Sequence, residues 1–588
     1  MCGIVGYVGN RHAAPILRVS TEKLEYRGYD SCGIATLYEN KIFIKKDVGR
    51  VGEANKKLNF DALPGKLGIM HVRWATHGVP SKINAHPHVS CESQLALAHN
   101  GVIENYYELR QGLSGHRFSS ETETEVIAHL IEEESKHSMP EEAILKAVNK
   151  LKGSFALAII HSGAPGKLFI ARRLSPLVIG IGKNEMFCAS DMPALMDHTR
   201  EFIIVHDDEF GILTPDKVIL KKFDGSEVHR KPIRITWTPT MAEKGGYEHF
   251  TIKEINEQPL AITQTLADEH KMDEAANFAK NFRKMQIVAC GSSYHASLIF
   301  KYLVERMVRI PCEAVIGSEY HFSPSHLADN ETLVIGVSQS GETADTLVAV
   351  RDAKAKGAKL LGLTNTLGSS LTREVDQVFY THAGPEISVV ATKTFTSQVA
   401  ALSHLIFEIA ERKDLTLELK KLEGEIDKVL KMQPEIKEIA KKLSKKMDFF
   451  FIGRGISYPV ALEGALKLKE ITYKHAEAYP GGELKHGPLS LLEKDLPVIA
   501  VAPSDETESK MLGSIKECKA RSAKIIAISD SDSILREADV KIRMPKVNNY
   551  LTPILYTIPL QLLAYYMTII LKRDPDKPRN LAKSITVE

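Results

Sequence analysis

A thiol stands one residue from the start of the chain: in Met1-Cys2-Gly3-Ile4-Val5-Gly6, only the initiator methionine precedes Cys2. A small residue at position 2 favours removal of that methionine, which would leave Cys2 with both a thiol and a free α-amine. An α-amine titrates near ~7.7–8.0 and a thiol near ~8.5. The amine can therefore take the thiol proton without a histidine partner, one route to an activated nucleophile. The competing reading of Met-Cys-Gly is a small residue leading into an apolar strand. Further polar clusters bear on the choice: Arg27-Gly-Tyr-Asp-Ser31, His71-Val-Arg-Trp-Ala-Thr-His-Gly78 and His99-Asn-Gly101. Each adjoins an apolar run and is expected on a turn at a strand end. A nucleophile acting on an amide carbonyl needs donors aimed at the developing oxyanion. The Asn100 carboxamide and the Gly101 backbone N–H supply two, glycine allowing close backbone approach. Asn-Gly is also the strongest short hairpin signal, so a plain turn is the alternative.

The second half of the chain offers different chemistry. Ser338-Gln339-Ser340-Gly341-Glu342-Thr343 follows an apolar strand pattern and opens a helical one, expected over 343–355. Hydroxyls and N–H groups at a helix N-terminus make an anion site, and without Gly-x-x-x-x-Gly-Lys a sugar phosphate suits it better than a nucleoside triphosphate. The alternative is that Ser340 or Thr343 caps the helix. Glu463, Lys467 and Glu470 fall at i, i+4 and i+7 on one helical face. Taken alone, such a row is ordinarily a solvated ion-pair face.

The elements that must position these groups can be read in outline. Among 588 residues, 44% hydrophobic and 26% charged with a formal charge of +2, the pattern is that of a multidomain globular protein. It shows no basic footprint for nucleic acid. Seven scattered cysteines suggest a reducing compartment, with neither disulfides nor a zinc site. The N-terminus lacks a signal-peptide pattern, so cytoplasm is expected. The apolar run 554–571 contains Pro559 and Gln561 and reads as a buried helix rather than a membrane span. Short strands are expected at 4–8, 33–38, 68–72, 95–98, 155–161 and 167–171, and a helix at 123–134, giving a layered α+β domain. Composition loosens over 231–284. Beyond it Gly291-Ser-Ser-Tyr294 matches Gly455-Ile-Ser-Tyr458, and Val334-Ile-Gly-Val337 matches Val498-Ile-Ala-Val501. Since 455 − 291 and 498 − 334 both give 164, a domain is duplicated. Alternating strands and helices in each copy predict doubly wound parallel sheets. Pro503 and Asp505 replace Gln339 and Gly341 in the second copy, so one phosphate turn is expected to work and the other to be degenerate.

Cys2-Gly-Ile-Val-Gly6, Tyr26-Arg-Gly-Tyr-Asp30, His71 to Gly78, Asn84-Ala-His-Pro-His88 and His99-Asn-Gly101 together resemble the glutaminase domain of class II glutamine amidotransferases, which are N-terminal-nucleophile hydrolases. The resemblance implies that Cys2 attacks the glutamine side-chain amide and that Asn100 and Gly101 hold the oxyanion. Arg73 would take the α-carboxylate, with Trp74, Thr76 and His77 lining the pocket. Glu123 stands where the family has the aspartate that grips the α-ammonium, one methylene longer. Cys32 replaces the family's alanine and is expected to be buried.

Cys290-Gly-Ser-Ser293, Ser338 to Thr343, Ala461 to Glu470, Gly482-Glu-Leu-Lys-His-Gly-Pro488 and Pro578-Arg-Asn-Leu-Ala-Lys583 resemble the paired sugar isomerase (SIS) domains of the glutamine:fructose-6-phosphate aminotransferases. Ala391 replaces a family serine. The implied organisation is a glutaminase domain at 1–240, a linker at 241–284, sugar isomerase domains at 285–430 and 431–571, and a tail at 572–588 contributing to the isomerase site. The implied substrates are glutamine and fructose 6-phosphate, with Ser293, Ser338, Gln339, Ser340 and Thr343 holding the sugar phosphate. His486 would assist ring opening, Lys583 form a Schiff base, Glu470 move the proton and Lys467 stabilise charge. Trp74 would gate ammonia passage towards the tail around residues 579–583. No metal, organic cofactor, nucleic acid or membrane is implied, and a homodimer is expected. Another class II amidotransferase, or a non-catalytic sugar-phosphate sensor, is the rival reading.

Overall fold

Strands whose two faces are both apolar build the N-terminal half of the molecule, a computed structural model describing residues 2–75, 78–234 and 244–585. In the strand Gly3–Gly9, Val5 and Tyr7 face one core while Ile4 and Val8 face another. In Gly153–His161, Phe155, Leu157 and Ile159 point one way and Ala156, Ala158 and Ile160 the other. This period of two stacks an eight-stranded and a seven-stranded antiparallel sheet face to face. Small alanines at 96, 98, 156 and 158 lie between them. The helix Ala13–Glu22 covers the first sheet; Thr124–Ser135 and Pro140–Lys150 cover the second. The result is a helix–sheet–sheet–helix stack. Each strand named from sequence is present, its ends shifted by at most five residues.

One expectation changes. His99-Asn100-Gly101 lies inside the strand Leu95–Ile103, paired along its length with Gly153–His161. Gly101 has φ +128°, and a Cβ there would sit 2.0 Å from the Ser154 carbonyl oxygen. The Asn-Gly pair accommodates a distorted strand rather than a hairpin turn, because both flanking runs are buried in the sheet stack.

The chain divides into two compact units, 1–242 with 582–588, and 243–581. The second contains two five-stranded parallel sheets. In the first, the order is Cys312–Ile316, Lys284–Ala289, Thr332–Val337, Lys359–Thr364, Gln377–Tyr380. In the second it is His475–Pro480, Asp448–Gly453, Pro497–Val501, Lys524–Ser529, Val540–Arg543. The two orders are identical, and Gly291 and Gly455 both take positive φ, +58° and +53°, so the sequence repeat is a structural one. Much of the stretch 241–284, read from sequence as a linker carrying a polar helical stretch, is helical: Phe250–Asn256, Gln258–Thr265 and Glu269–Ala279. Ile252, Ile255, Ile262 and Met272 face the core of the second unit, a spaced apolar pattern hidden by the polar residues around it. That core is continuous through both copies and includes Ile287, Phe300, Phe451 and Ile499. The helix Thr552–Ile570 packs into it, its most apolar window 83% buried, as a core helix rather than a membrane span.

Candidate functional site

In the N-terminal unit the strand register makes the first site. Gly3 pairs with Val72, which sets Cys2 beside the end of Leu67–Arg73. The Trp74 N–H donates to Cys2 Sγ at 3.3 Å, and Sγ lies 3.6 Å from the Trp74 carbonyl. Ser31 pairs with Arg73, and Asp30 Oδ2 accepts from the Ala75 N–H at 2.9 Å. Arg27 Nε donates to the Cys2 carbonyl at 3.0 Å. From the other sheet, Asn100 Nδ2 donates to that same carbonyl at 3.1 Å and to Ser190 Oγ at 2.8 Å, while His71 Nε2 is 3.1 Å from Asn100 Oδ1. All three polar clusters therefore converge on Cys2, two from one sheet and one from the sheet stacked on it.

Burial raises the Cys2 thiol above its ordinary value, opposed by the Trp74 N–H and the Arg73 guanidinium and reinforced by Glu123. Arg73 is buried, donates Nη2 to the Gly78 carbonyl at 3.1 Å, and feels the charges of both Cys2 and Glu123. Glu123, buried, immediately precedes the helix Thr124–Ser135. The structure thus brings together Cys2, Arg73, Trp74, Asn100, Gly101 and Glu123. Thr76 and His77 lie outside the described residues. Cys32 is fully buried, its thiol pushed up to about 12 by burial. Ser190 is a partner the sequence reading missed. It follows the strand Glu185–Ala189, which pairs with Gly3–Gly9, and nothing near it in sequence marks it.

Behind this site lie four buried histidines. His71 stacks on His86 at 4.2 Å between ring centroids, and His86 lies 4.9 Å from His88 and 6.4 Å from His99. Burial keeps all of them neutral, lowering His71 to about 3 and His99 to about 4. In the unfolded chain they titrate near ~6.5. Between those values only the unfolded chain binds these protons, so their contribution to stability is complete above ~6.5 and is lost as pH falls through the folded values. The melting temperature of this unit is expected to fall steadily from about pH 7 to about pH 4.5, with net proton uptake on unfolding by calorimetry. A transition independent of pH over that window would contradict it.

In the second unit, the turns after the adjacent parallel strands Lys284–Ala289 and Thr332–Val337 share one sheet edge, where ligands bind in such folds. Ser338 Oγ lies 2.8 Å from Thr343 Oγ1 and accepts from the Gly341 N–H at 3.0 Å. Gly341 has φ +64° and no room for a Cβ, with Ser369 Oγ 2.0 Å from its position. The helix begins at Ala344, one residue later than expected, and its N-cap Thr343 makes no side-chain bond to it. Capping alone does not explain the hydroxyls. In the second copy, Asp505 Oδ1 accepts from the Thr507 N–H and hydroxyl, both at 2.7 Å. A carboxylate of the chain fills the turn where an anion would bind.

The Glu463–Lys467–Glu470 row lies on the helix Ser457–Thr472 and is not a solvated face. Glu463 is 0% and Lys467 2% exposed. Lys467 Nζ is 3.3 Å from Glu463 Oε1 and 2.6 Å from Glu470 Oε2. The first turn joins the row. Ser292 Oγ donates to Glu463 Oε1 at 2.9 Å and accepts from Lys467 Nζ at 3.1 Å, and His295 Nδ1 is 2.8 Å from Glu463 Oε2. Ser292 and His295 were missed in sequence, though they flank the Ser293 picked there. Burial opposes ionisation of both carboxyls. Lys467 and His295 nevertheless hold Glu463 below the usual carboxylate range, whereas Glu470 stays above it. Neighbouring carboxyls driven apart in this way are the mark of an assigned acid–base pair.

His486 is exposed and makes no hydrogen bond or ion pair with this row among the described residues. Lys583 belongs to the segment 582–588 that groups with the N-terminal unit. Upstream of it, Asp576 accepts from the Phe250 and Thr251 N–H groups at 2.9 and 2.8 Å, and Tyr473 OH accepts from the Arg579 N–H at 2.8 Å. Ala391 is followed by Thr392, whose N–H donates to Glu386 Oε1 at 2.9 Å.

Comparison with known proteins agrees with this arrangement. The SIS domain family model matches residues 280–407 and 442–571, and the glutamine amidotransferase domain model matches 71–197. Proteins named glutamine–fructose-6-phosphate aminotransferase [isomerizing] from Thermococcus kodakarensis and Pyrococcus horikoshii are 50% and 48% identical to the chain, over 100% of both sequences in each case. The solved C-terminal domain of glucosamine-fructose-6-phosphate aminotransferase from Francisella tularensis is 39% identical, matching 57% of this chain and 99% of that one with a TM-score of 0.53. The chain belongs to the family of isomerizing glutamine–fructose-6-phosphate aminotransferases.

Proposed function

We propose that the chain converts D-fructose 6-phosphate and L-glutamine into D-glucosamine 6-phosphate and L-glutamate, the first step of hexosamine biosynthesis. The observation that carries this reading is the row of buried Glu463 and Lys467 with half-buried Glu470, whose carboxyls are pushed in opposite directions in a chain that also brings a nucleophile-type cluster around Cys2. With Met1 removed, the Cys2 amine takes the thiol proton and Sγ attacks the glutamine amide. Asn100 and the Gly101 N–H hold the oxyanion; Arg73 and Glu123 take the α-carboxylate and α-ammonium, with Thr76 and His77 completing the pocket. Ser293, Ser338, Gln339, Ser340 and Thr343 bind fructose 6-phosphate, and Lys583 forms a Schiff base with the open-chain ketose. Ammonia adds at C2, and Glu470 moves the proton between C1 and C2 while Lys467 balances the charge. His486, exposed, assists ring opening, and the chain works as a homodimer. The working compartment is the cytoplasm.

An assay for glucosamine 6-phosphate with each substrate omitted in turn tests the whole reading. Product without glutamine, or none with both substrates present, would overturn it. Trp74 tests the coupling. Its backbone holds Sγ, while its half-buried ring lies edge-on to Tyr29, at 6.3 Å between centroids. Trp74→Ala is expected to keep glutaminase activity while product formed per glutamate falls well below one. A ratio still at unity in folded protein would remove the gating role.

A further inference from the structure

A second constellation of reactive side chains lies in the N-terminal unit, outside the Cys2 site. Cys91, His116, His129 and Glu132 each offer one ligand-type atom, all within 4.8 Å of one another. Cys91 Sγ is 3.6 Å from His129 Nδ1 and 3.8 Å from His116 Nδ1. Glu132 Oε2 is 3.1 Å from His116 Nδ1 and 3.5 Å from His129 Nδ1. A zinc ion bound tetrahedrally, with bonds of ~2.0–2.1 Å to nitrogen or oxygen and ~2.3 Å to sulfur, spaces its ligands about 3.6 Å apart for sulfur–nitrogen pairs and about 3.3 Å for nitrogen–oxygen pairs. The observed edges bracket those values.

The surroundings orient the donors. His116 Nε2 lies 2.9 Å from Glu133 Oε2, and His129 Nε2 lies 3.6 Å from Glu125 Oε1. A proton on His116 Nε2, donated to Glu133, turns its Nδ1 lone pair into the cluster, the carboxylate–histidine–metal arrangement of bound zinc; at His129 the nearby Glu125 carboxylate favours the same tautomer. Glu132 is fixed by the Cys91 N–H on Oε2 at 3.0 Å and the Glu92 N–H on Oε1 at 2.8 Å. Two imidazole nitrogens, a carboxylate and a thiol facing one another at these distances are held together either by shared protons or by a cation, and the cation replaces the protons when it binds. His129 and Glu132 are 1% and 7% exposed, whereas Cys91 is exposed, so the fourth corner is open to loading from solvent.

We propose that Cys91, His116, His129 and Glu132 bind a divalent transition-metal ion of the zinc type. The seven cysteines have no short spacing that reads as a zinc site because the ligands come from three separate segments, 90–92, 116–117 and the helix Thr124–Ser135. The ion ties those segments together. Since the same helix begins directly after Glu123, it also fixes the end that faces Cys2 and Arg73. The site is structural and takes no part in the transfer chemistry.

The test uses the full chain carrying Cys2→Ala, so that the N-terminal thiol binds no metal, stripped with a chelator and then titrated with Zn²⁺ or Co²⁺. The expected result is one ion per chain, a melting temperature raised by several degrees on adding Zn²⁺, and a cobalt spectrum with thiolate charge transfer and four-coordinate visible bands. Adding Cys91→Ser is expected to remove the charge-transfer band and weaken binding by at least about tenfold while leaving the melt of the metal-free protein unchanged. His116→Asn is expected to weaken binding in parallel. The proposal is overturned if zinc-loaded and stripped protein melt together, or if the Cys91→Ser protein binds cobalt with the same affinity and spectrum.

Discussion

Replacing Cys2 by alanine is expected to lower glutamine hydrolysis by about 10⁴-fold or more. Glutamine-dependent hexosamine formation should fall with it, while some isomerisation of fructose 6-phosphate to glucose 6-phosphate persists. Two bonds at this residue are made by its backbone, Arg27 Nε and Asn100 Nδ2 both donating to the Cys2 carbonyl, and only the contacts of Sγ with the Trp74 backbone are lost. The variant therefore loses the nucleophile and keeps the frame, and its melt should match the parent's. Glutamate release and both sugar phosphates are measured on the same preparation. Glutaminase activity within tenfold of the parent would end the nucleophile assignment. A non-cleavable N-terminal extension should produce the same loss by removing the free amine; normal turnover in such a protein would show that the amine is not the base.

Glu470→Gln is expected to lower hexosamine formation by ~10²–10⁴ and to leave glutamine hydrolysis in place. Removing one partner of a buried ion pair usually costs about 3–5 kcal/mol because a charge is left uncompensated. Here Lys467 keeps Glu463 at 3.3 Å, and the glutamine amide oxygen can still accept from Lys467, so folding should survive. Because burial holds the Glu470 carboxyl above its ordinary range, the parent's product rate should rise with pH through an inflection above ~4.3, the ordinary glutamate value. The variant should lack that inflection. A flat profile in the parent, or product within a few-fold in the variant, would return the row to a purely structural role.

Much of this site was legible from sequence because its parts sit where a motif touches a strand end. Cys2, Asp30, Arg73 and Asn100 belong to short polar clusters between apolar runs, and antiparallel register does the rest. Strands buried on both faces were also found, since they read as uninterrupted apolar stretches. What sequence hides is depth. The spacing of Glu463, Lys467 and Glu470 is the same on a solvated face and in a core, and only packing separated the two. Asn100-Gly101 failed as a turn signal because tertiary pairing outweighs local preference. Ser190 and the Cys91 cluster are assembled from positions far apart in the chain, which no periodicity reports.

The shared core of the second unit sets an order on biosynthesis. Gln258, near the start of that unit, bonds Gln561 at 3.0 Å, and Gln561 also donates to the Thr392 carbonyl at 3.2 Å. Both contacts wait for the helix Thr552–Ile570, whose Gln561 is made 303 residues after Gln258. At ~5–20 residues per second, the apolar faces of the earlier sheets and helices stand uncovered for roughly a quarter of a minute to a minute. Truncated chains released before Leu551 should therefore be the species that chaperones hold and that aggregate, whereas chains released a few residues beyond the end of the helix should already resist proteolysis.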